Sequence, residues 1–285
     1  PIPPEMRSIN SIDAIRGREG LRRWENEDLV PRPDDVLQER LYCIRWVDPE
    51  TGEKRYRAPT EVDLKREAEA LRLLRERFGD WQAKGFIPSR KIEAGAETDR
   101  LPRERGWTHW HHLYNPRQLL MIGLFQKLAA EKAKTPEVGA ALLLGIGRMA
   151  DWCSRLSRWN PHAANEKGEQ VYFNQALNTL SNYATRAYNA LKTTWPLTFP
   201  ERRIGSDSRV LPLDARMTVH AADLWITDPP YADAVNYEEL SELFLAWYEK
   251  RLPVLFPQWY GDSKRALAVK GADENFRIAM VECYR

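Results

Sequence analysis

The chain has 285 residues, 43% of them hydrophobic and 29% charged, enough to bury a core in one large domain or two smaller ones. No apolar run approaches the roughly 20 residues of a membrane-spanning helix, and Pro1-Ile2-Pro3-Pro4 lacks the parts of a signal peptide, so a cytoplasmic protein with no membrane partner is expected. A net charge of +2 neither demands nor excludes nucleic acid, while Cys43, Cys153 and Cys283 stand in no paired spacing, which argues for buried thiols in a reducing compartment.

Residues 1–59 divide into an irregular Pro-, Arg- and acid-rich arm, up to about residue 39, and a hairpin. Leu41 to Val47 alternates as a strand does, Asp48 to Gly52 carries turn chemistry, and Lys54 to Arg57 returns. Residues 60–112 then read as a helix and a loop linker. Thr60 with Asp63 is a capping arrangement, Leu64, Ala68, Leu71, Leu74 and Phe78 follow at helical spacing, and Gly85 ends the helix. The polar stretch from Phe86 to Arg105 is expected to be loop, leading into the unusual Gly106-Trp107-Thr108-His109-Trp110-His111-His112.

Residues 113–195 form a helical insert. Asn115 caps a helix starting at Pro116 and running to Lys132; a second runs from about Pro136 to Leu156 and a third from about Gln170 to Lys192. Gly145-Ile146-Gly147 falls inside the second and reads as helix packing. Residues 196–285 have α/β character: Leu224-Trp225-Ile226-Thr227 is a short buried-strand candidate, Leu240 to Lys250 an amphipathic helix, and Phe276 to Arg285 a final helix.

Asp228-Pro229-Pro230-Tyr231 follows directly on that apolar run, which would put it in a loop at the carboxyl end of a strand, where α/β sheets bind ligands. The residue types suit methyl transfer to an exocyclic base amine. Such an amine is a poor nucleophile because its lone pair is delocalised into the ring, so acceptors must be held against its hydrogens. Asp228 supplies a carboxylate and Pro229 a backbone carbonyl, both stiffened by locked proline φ angles. Tyr231 supplies a face on which a flipped base can stack.

With these residues in view, the chain resembles the amino-methyltransferases that modify N6 of adenine or N4 of cytosine. The stretch Thr227 to Tyr237, with Glu239-Leu240-Ser241-Glu242 and Phe244-Leu245-Ala246-Trp247, is similar to the large adenine-specific DNA methylases of bacterial phage-defence loci. The resemblance also takes in Arg105 to Trp110, Asn115 to Leu119 and Ser154 to Trp159, and so covers about residues 40 to 285. It implies a Rossmann-like α/β methyltransferase sheet, only partly contained in this chain, with the helical insert set into it. It also implies S-adenosylmethionine as cofactor, double-stranded DNA with a flipped base as substrate, and defence-system partner proteins.

By the same resemblance Asn115 and Pro116, with Thr227, lie beside the cofactor, and Asp207 accepts a hydrogen bond from its adenine; a helix cap and a turn are the plain alternatives for Asn115-Pro116 and Asp207. Nucleic-acid contacts are expected from Tyr231, Asn236, Trp107, Arg117, Arg155 and Arg158, although Arg155 and Arg158 also suit a helix end that favours cations. No Gly-rich cofactor loop occurs in the chain, and the resemblance places it upstream, so the sequence reads as a piece of a longer protein. His109, His111 and His112 lack the spacing and acidic partners of a metal site, and no metal is expected. A non-catalytic recognition or assembly subunit and an RNA amino-methyltransferase are the competing functions.

Overall fold

A computed structural model describes residues 21–162, 166–173, 177, 182–192, 208, 211, 213–218, 221–228, 236–257 and 274–284. Helices and two small two-stranded sheets make up the described structure. A parallel sheet is not among the described residues.

Residues 21–39 have no helix or strand, yet they are fixed by charge. Arg22 reaches Asp35 at 2.7 Å and also pairs with Asp28, which Arg32 meets at 2.9 Å. Trp24 and Leu29 from this arm are buried in the main core. The expected hairpin follows as β1 (Ile44–Val47) and β2 (Lys54–Arg57), antiparallel, with Gly52 taking the left-handed φ of 71° that the turn requires. Cys43, just before it, is exposed rather than buried, and only Cys153 behaves as a small core residue.

Helix α1 (Glu61–Lys84) begins and ends where local chemistry dictates. Thr60 and Asp63 form a reciprocal capping box, and Gly85 closes the helix in the left-handed region at φ 72°. Asp63 also receives Arg57 at 2.7 Å, which ties β2 to the start of α1. Burial begins later than the apolar spacing suggests. Leu64 and Ala68 are exposed, and the inward stripe is Ala70, Leu74, Phe78 and Trp81, because only the second half of α1 lies against the core. The expected loop from Phe86 to Arg105 contains a short helix, α2 (Arg100–Arg105), closed by Gly106 at φ 77°.

Helices α3 (Pro116–Lys132) and α4 (Pro136–Trp152) complete the helical layer, with α3 packed against both α1 and α4. Gly123 lets α3 approach Trp81 and Ile87, since a Cβ there would sit 2.6 Å from the Trp81 ring. Helix α4 stops at Trp152, four residues short of the expected Leu156: Cys153 leaves helical geometry at φ −144° and ψ 77°, and Ser157 Oγ accepts the Ser154 N–H at 3.0 Å.

The third helix is expected over Gln170 to Lys192. Its described residues contain only the single turn α5 (Tyr188–Leu191), preceded by the short pair β3 (Trp159–Asn160) and β4 (Lys167–Gly168) and by a bridge between Arg158 and Tyr183. Leu224-Trp225-Ile226-Thr227 is not a buried strand. Leu224, Trp225 and Ile226 are 74%, 57% and 88% exposed, with no strand beside them among the described residues to complete a ladder.

The amphipathic helix expected at Leu240 to Lys250 is present as two pieces, α6 (Tyr237–Leu240) and α7 (Glu242–Tyr248), divided at Ser241, whose hydroxyl donates back to the Tyr237 carbonyl at 2.6 Å. Helix α8 (Leu252–Leu255) and, at the far end, α9 (Glu274–Cys283) follow. Both α7 and α8 pack on α4, and Leu240, Leu243, Ala246 and Trp247 enter the same core as α1, α3 and α4. A boundary at residues 195/196 therefore does not separate two cores. Gly145-Ile146-Gly147 serves helix packing as expected: all three are buried, and Gly147 admits the Tyr248 hydroxyl and the Phe244 ring where a Cβ would stand. Among the described residues no helix is long and apolar enough to cross a membrane.

Candidate functional site

Asp228 is the described member of the tetrapeptide; Pro229, Pro230 and Tyr231 lie outside the described residues, as does Asp207. The Asp228 carboxyl-bearing residue is exposed, at the end of the exposed run from Leu224. Thr227 beside it is also exposed, its hydroxyl 3.1 Å from that of Tyr284, just past the end of α9. Asn236 stands directly before α6 and gives its carbonyl to the Glu239 and Leu240 N–H groups at 3.0 and 3.3 Å. Glu239 is the anchor of that side of the segment. Its buried carboxylate accepts the backbone N–H groups of Ala96, Glu97 and Thr98 at 3.0, 2.9 and 3.1 Å, a charge-assisted fan that no local motif in the sequence announces.

Asn115 takes the capping role. Its Oδ1 accepts the Gln118 N–H at 2.9 Å, Gln118 returns the bond to the Asn115 N–H at 2.8 Å, and Asn115 Nδ2 donates to Thr185 at 2.8 Å. One lone pair of Oδ1 and one Nδ2 hydrogen are thereby engaged. Pro116 occupies the first helical position, and Arg117 pairs with Glu67 of α1. Among the described residues no hydrogen bond or ion pair joins Asp228 or Thr227 to Asn115, Pro116 or Arg117.

The three remaining nucleic-acid candidates fall in or beside the core. Arg155 is 1% exposed, and its guanidinium is saturated: Glu39 receives Nε and Nη2, the carbonyls of His112 and Tyr114 receive Nη1, and that of Leu29 receives Nη2 at 3.0 Å. A group so enclosed has no face for a DNA phosphate, and the expectation of such a contact is corrected to one of core assembly. Trp107, 5% exposed, shares this cation with Trp24, the guanidinium carbon lying 5.9 and 5.4 Å from the two rings. Arg158 lies over the Phe173 ring at 4.5 Å.

The histidines are held by the arm. His112 Nδ1 accepts the backbone N–H groups of Thr108 and His109 at 3.1 and 3.2 Å, and its Nε2–H donates to the Glu25 carbonyl at 3.0 Å. His111 Nε2–H donates to the Asn26 carbonyl at 2.9 Å. Burial, with neighbouring imidazoles and Arg155 adding to it, pushes His111 down to about 3 and His112 further still, so both are neutral at physiological pH. Among the described residues no three His, Cys, Asp or Glu side chains are grouped to hold a metal. Of the three histidines, His109 lines a shallow open cleft of about 520 Å³ between Trp24, Trp107, Ile92 and Pro102, with Glu25, Asn26, Lys91 and Thr108 as further polar residues. Trp24 had no flag in the sequence beyond its residue type, because its position depends on contacts more than 80 residues away.

Comparison with protein-family models, curated proteins and solved structures returns no match for this chain.

Proposed function

We propose that this chain is part of an S-adenosylmethionine-dependent DNA methyltransferase acting on an exocyclic base amine, N6 of adenine by preference, in a phage-defence or restriction-modification setting. The observation that supports it is the intact Asp228-Pro229-Pro230-Tyr231 with an exposed acidic residue at its head, free of any ion pair among the described residues. In this reading Asp228 accepts one amine hydrogen as positive charge develops on nitrogen, and the Pro229 carbonyl accepts the other. The Tyr231 ring stacks on the base once it has left the duplex. The Rossmann-like sheet belongs to this proposal; the exposed Leu224 to Ile226 run is the segment that such a sheet would cover. The cofactor would supply the methyl group.

Transfer of labelled methyl groups to adenine-containing duplex DNA by the full-length protein tests the reading. Asp228→Ala is expected to lower the rate by about 10²-fold or more. Tyr231→Ala should weaken base capture by about 1 to 3 kcal/mol while Tyr231→Phe keeps most activity. Turnover by Asp228→Ala close to that of the parent would remove the chemistry assigned here.

A further inference from the structure

A four-residue helix does not hold itself in place. One turn fixes several dihedral angles for very few hydrogen bonds, so the position of α6 (Tyr237–Leu240) is set by what grips it from elsewhere in the chain. Two grips are present. The Glu239 carboxylate lies in the turn at residues 95–98, and the Leu240 carbonyl accepts the Tyr172 hydroxyl.

The turn is shaped for the carboxylate. The successive N–H groups of Ala96, Glu97 and Thr98 converge on it, the arrangement by which backbone binds anions. A Cβ on Gly95 would stand 2.2 Å from Glu239 Oε2 and 2.5 Å from Oε1, so the carboxylate fills the space that only glycine leaves. The turn is itself fixed. The Asp99 N–H donates to the Gly95 carbonyl at 2.9 Å, the Thr98 hydroxyl donates to the Glu93 carbonyl at 2.7 Å, and just upstream the Ile92 N–H donates to the Thr108 carbonyl at 2.9 Å. Thr98 and Leu101 are fully buried. Glu239 thus ties α6 to a rigid part of the body.

What α6 holds in turn is the end of the segment that begins at Asp228. Asn236 gives its carbonyl to the Glu239 N–H at 3.0 Å. Tyr231 stands five residues before Asn236, so covalent geometry keeps their Cα atoms within about 18 Å of each other. A shift of α6 moves the anchor of that segment. We infer that Glu239 is a positioning residue for Asp228 to Tyr231, with the turn at Gly95 as its socket. It acts through α6 and takes no part in the chemistry. The inference rests on the methyl-transfer reading of the tetrapeptide.

Single-turnover methyl transfer by the full-length protein, at saturating DNA and cofactor and well below the melting midpoint of every variant, provides the test. Glu239→Gln keeps the size of the side chain but leaves one acceptor oxygen and turns amide hydrogens towards the N–H fan. Gly95→Ala fills the socket from the opposite side. Each should slow transfer at least about tenfold, since a misplacement of about 1 Å can cost on the order of 10²-fold, while the affinity for S-adenosylmethionine stays within about twofold of the parent's. In a Glu239→Ala background, Gly95→Ala should add less than about twofold, because the methyl group then meets no carboxylate. A parent protein that transfers no methyl group would remove the reading on which the inference rests. An active parent with either single variant within about twofold of it, with losses that simply multiply, or with a loss of cofactor affinity that matches the loss of rate, would overturn the inference alone.

Discussion

Replacing Arg155 with Met keeps the aliphatic stem and deletes the guanidinium. Three buried carbonyls, those of Leu29, His112 and Tyr114, then lose a charged donor, and Glu39 loses its bidentate partner. Glu39 is 27% exposed at its side chain and can turn to water, so its share is modest. The carbonyls cannot: each orphaned acceptor costs about 1 to 3 kcal/mol, and removal of one member of a buried pair generally costs about 3 to 5 kcal/mol. A destabilisation of about 3 to 5 kcal/mol is expected, and Glu39→Gln should cost less than half of it. Urea unfolding followed by tryptophan fluorescence measures both, since Trp24 and Trp107 lie against this cation. A loss below about 1 kcal/mol for Arg155→Met, accompanied by weakened DNA binding, would refute the argument and return Arg155 to a phosphate-contacting role.

Two further outcomes concern stability. Burial, offset in part by the Val171 N–H and Arg148, raises the Asp151 carboxyl from 3.8 to about 6. A carboxyl raised on folding favours the folded state fully below pH 3.8 and loses that contribution as pH climbs through about 6. Asp151→Asn, able to keep the bond to Val171, should therefore gain up to about 3 kcal/mol at pH 7.5 and nothing near pH 3.5, a difference read from denaturation midpoints at the two pH values. Gly147→Ala would place a methyl group against Tyr248 and Phe244, and calorimetric melting should report a loss of about 1 to 3 kcal/mol; an unchanged melting temperature would mean that α4 and α7 are less closely packed than described.

Where a decision is local, the sequence already contains it. Thr60 with Asp63 and Asn115-Pro116 with Gln118 mark helix starts because cap and backbone lie within three residues of each other. Gly85 stops a helix for the same kind of reason. Arg155 was open to misreading because its carboxylate partner lies 116 residues away, and a cation near a helix end looks alike in sequence whether it faces solvent or core. Residues 170–192 have helical spacing, yet Tyr183 among their described residues bridges to Arg158, a partner that lies outside the stretch. Leu224 to Thr227 is an apolar run whose state depends on neighbours, so the run alone could not say whether it would be buried. At the candidate site, Asp228 and its chemistry are legible from residue types; the Trp24–Trp107 cleft is not, being assembled by an arm that has no periodicity.

Gln126 of α3 donates its amide to the Trp247 carbonyl at 2.8 Å across 121 residues of chain. At a synthesis rate of about 5 to 20 residues per second, roughly 6 to 24 s separate the emergence of the two partners from the ribosome. For most of that interval, once Trp152 has been made, α1, α3 and α4 exist without Leu243, Ala246 and Trp247, the side chains that close their core. The nascent helical layer is thus a natural client for a chaperone that shields apolar surface, and synonymous changes that slow translation between these positions should lower the yield of soluble protein even though no residue is altered.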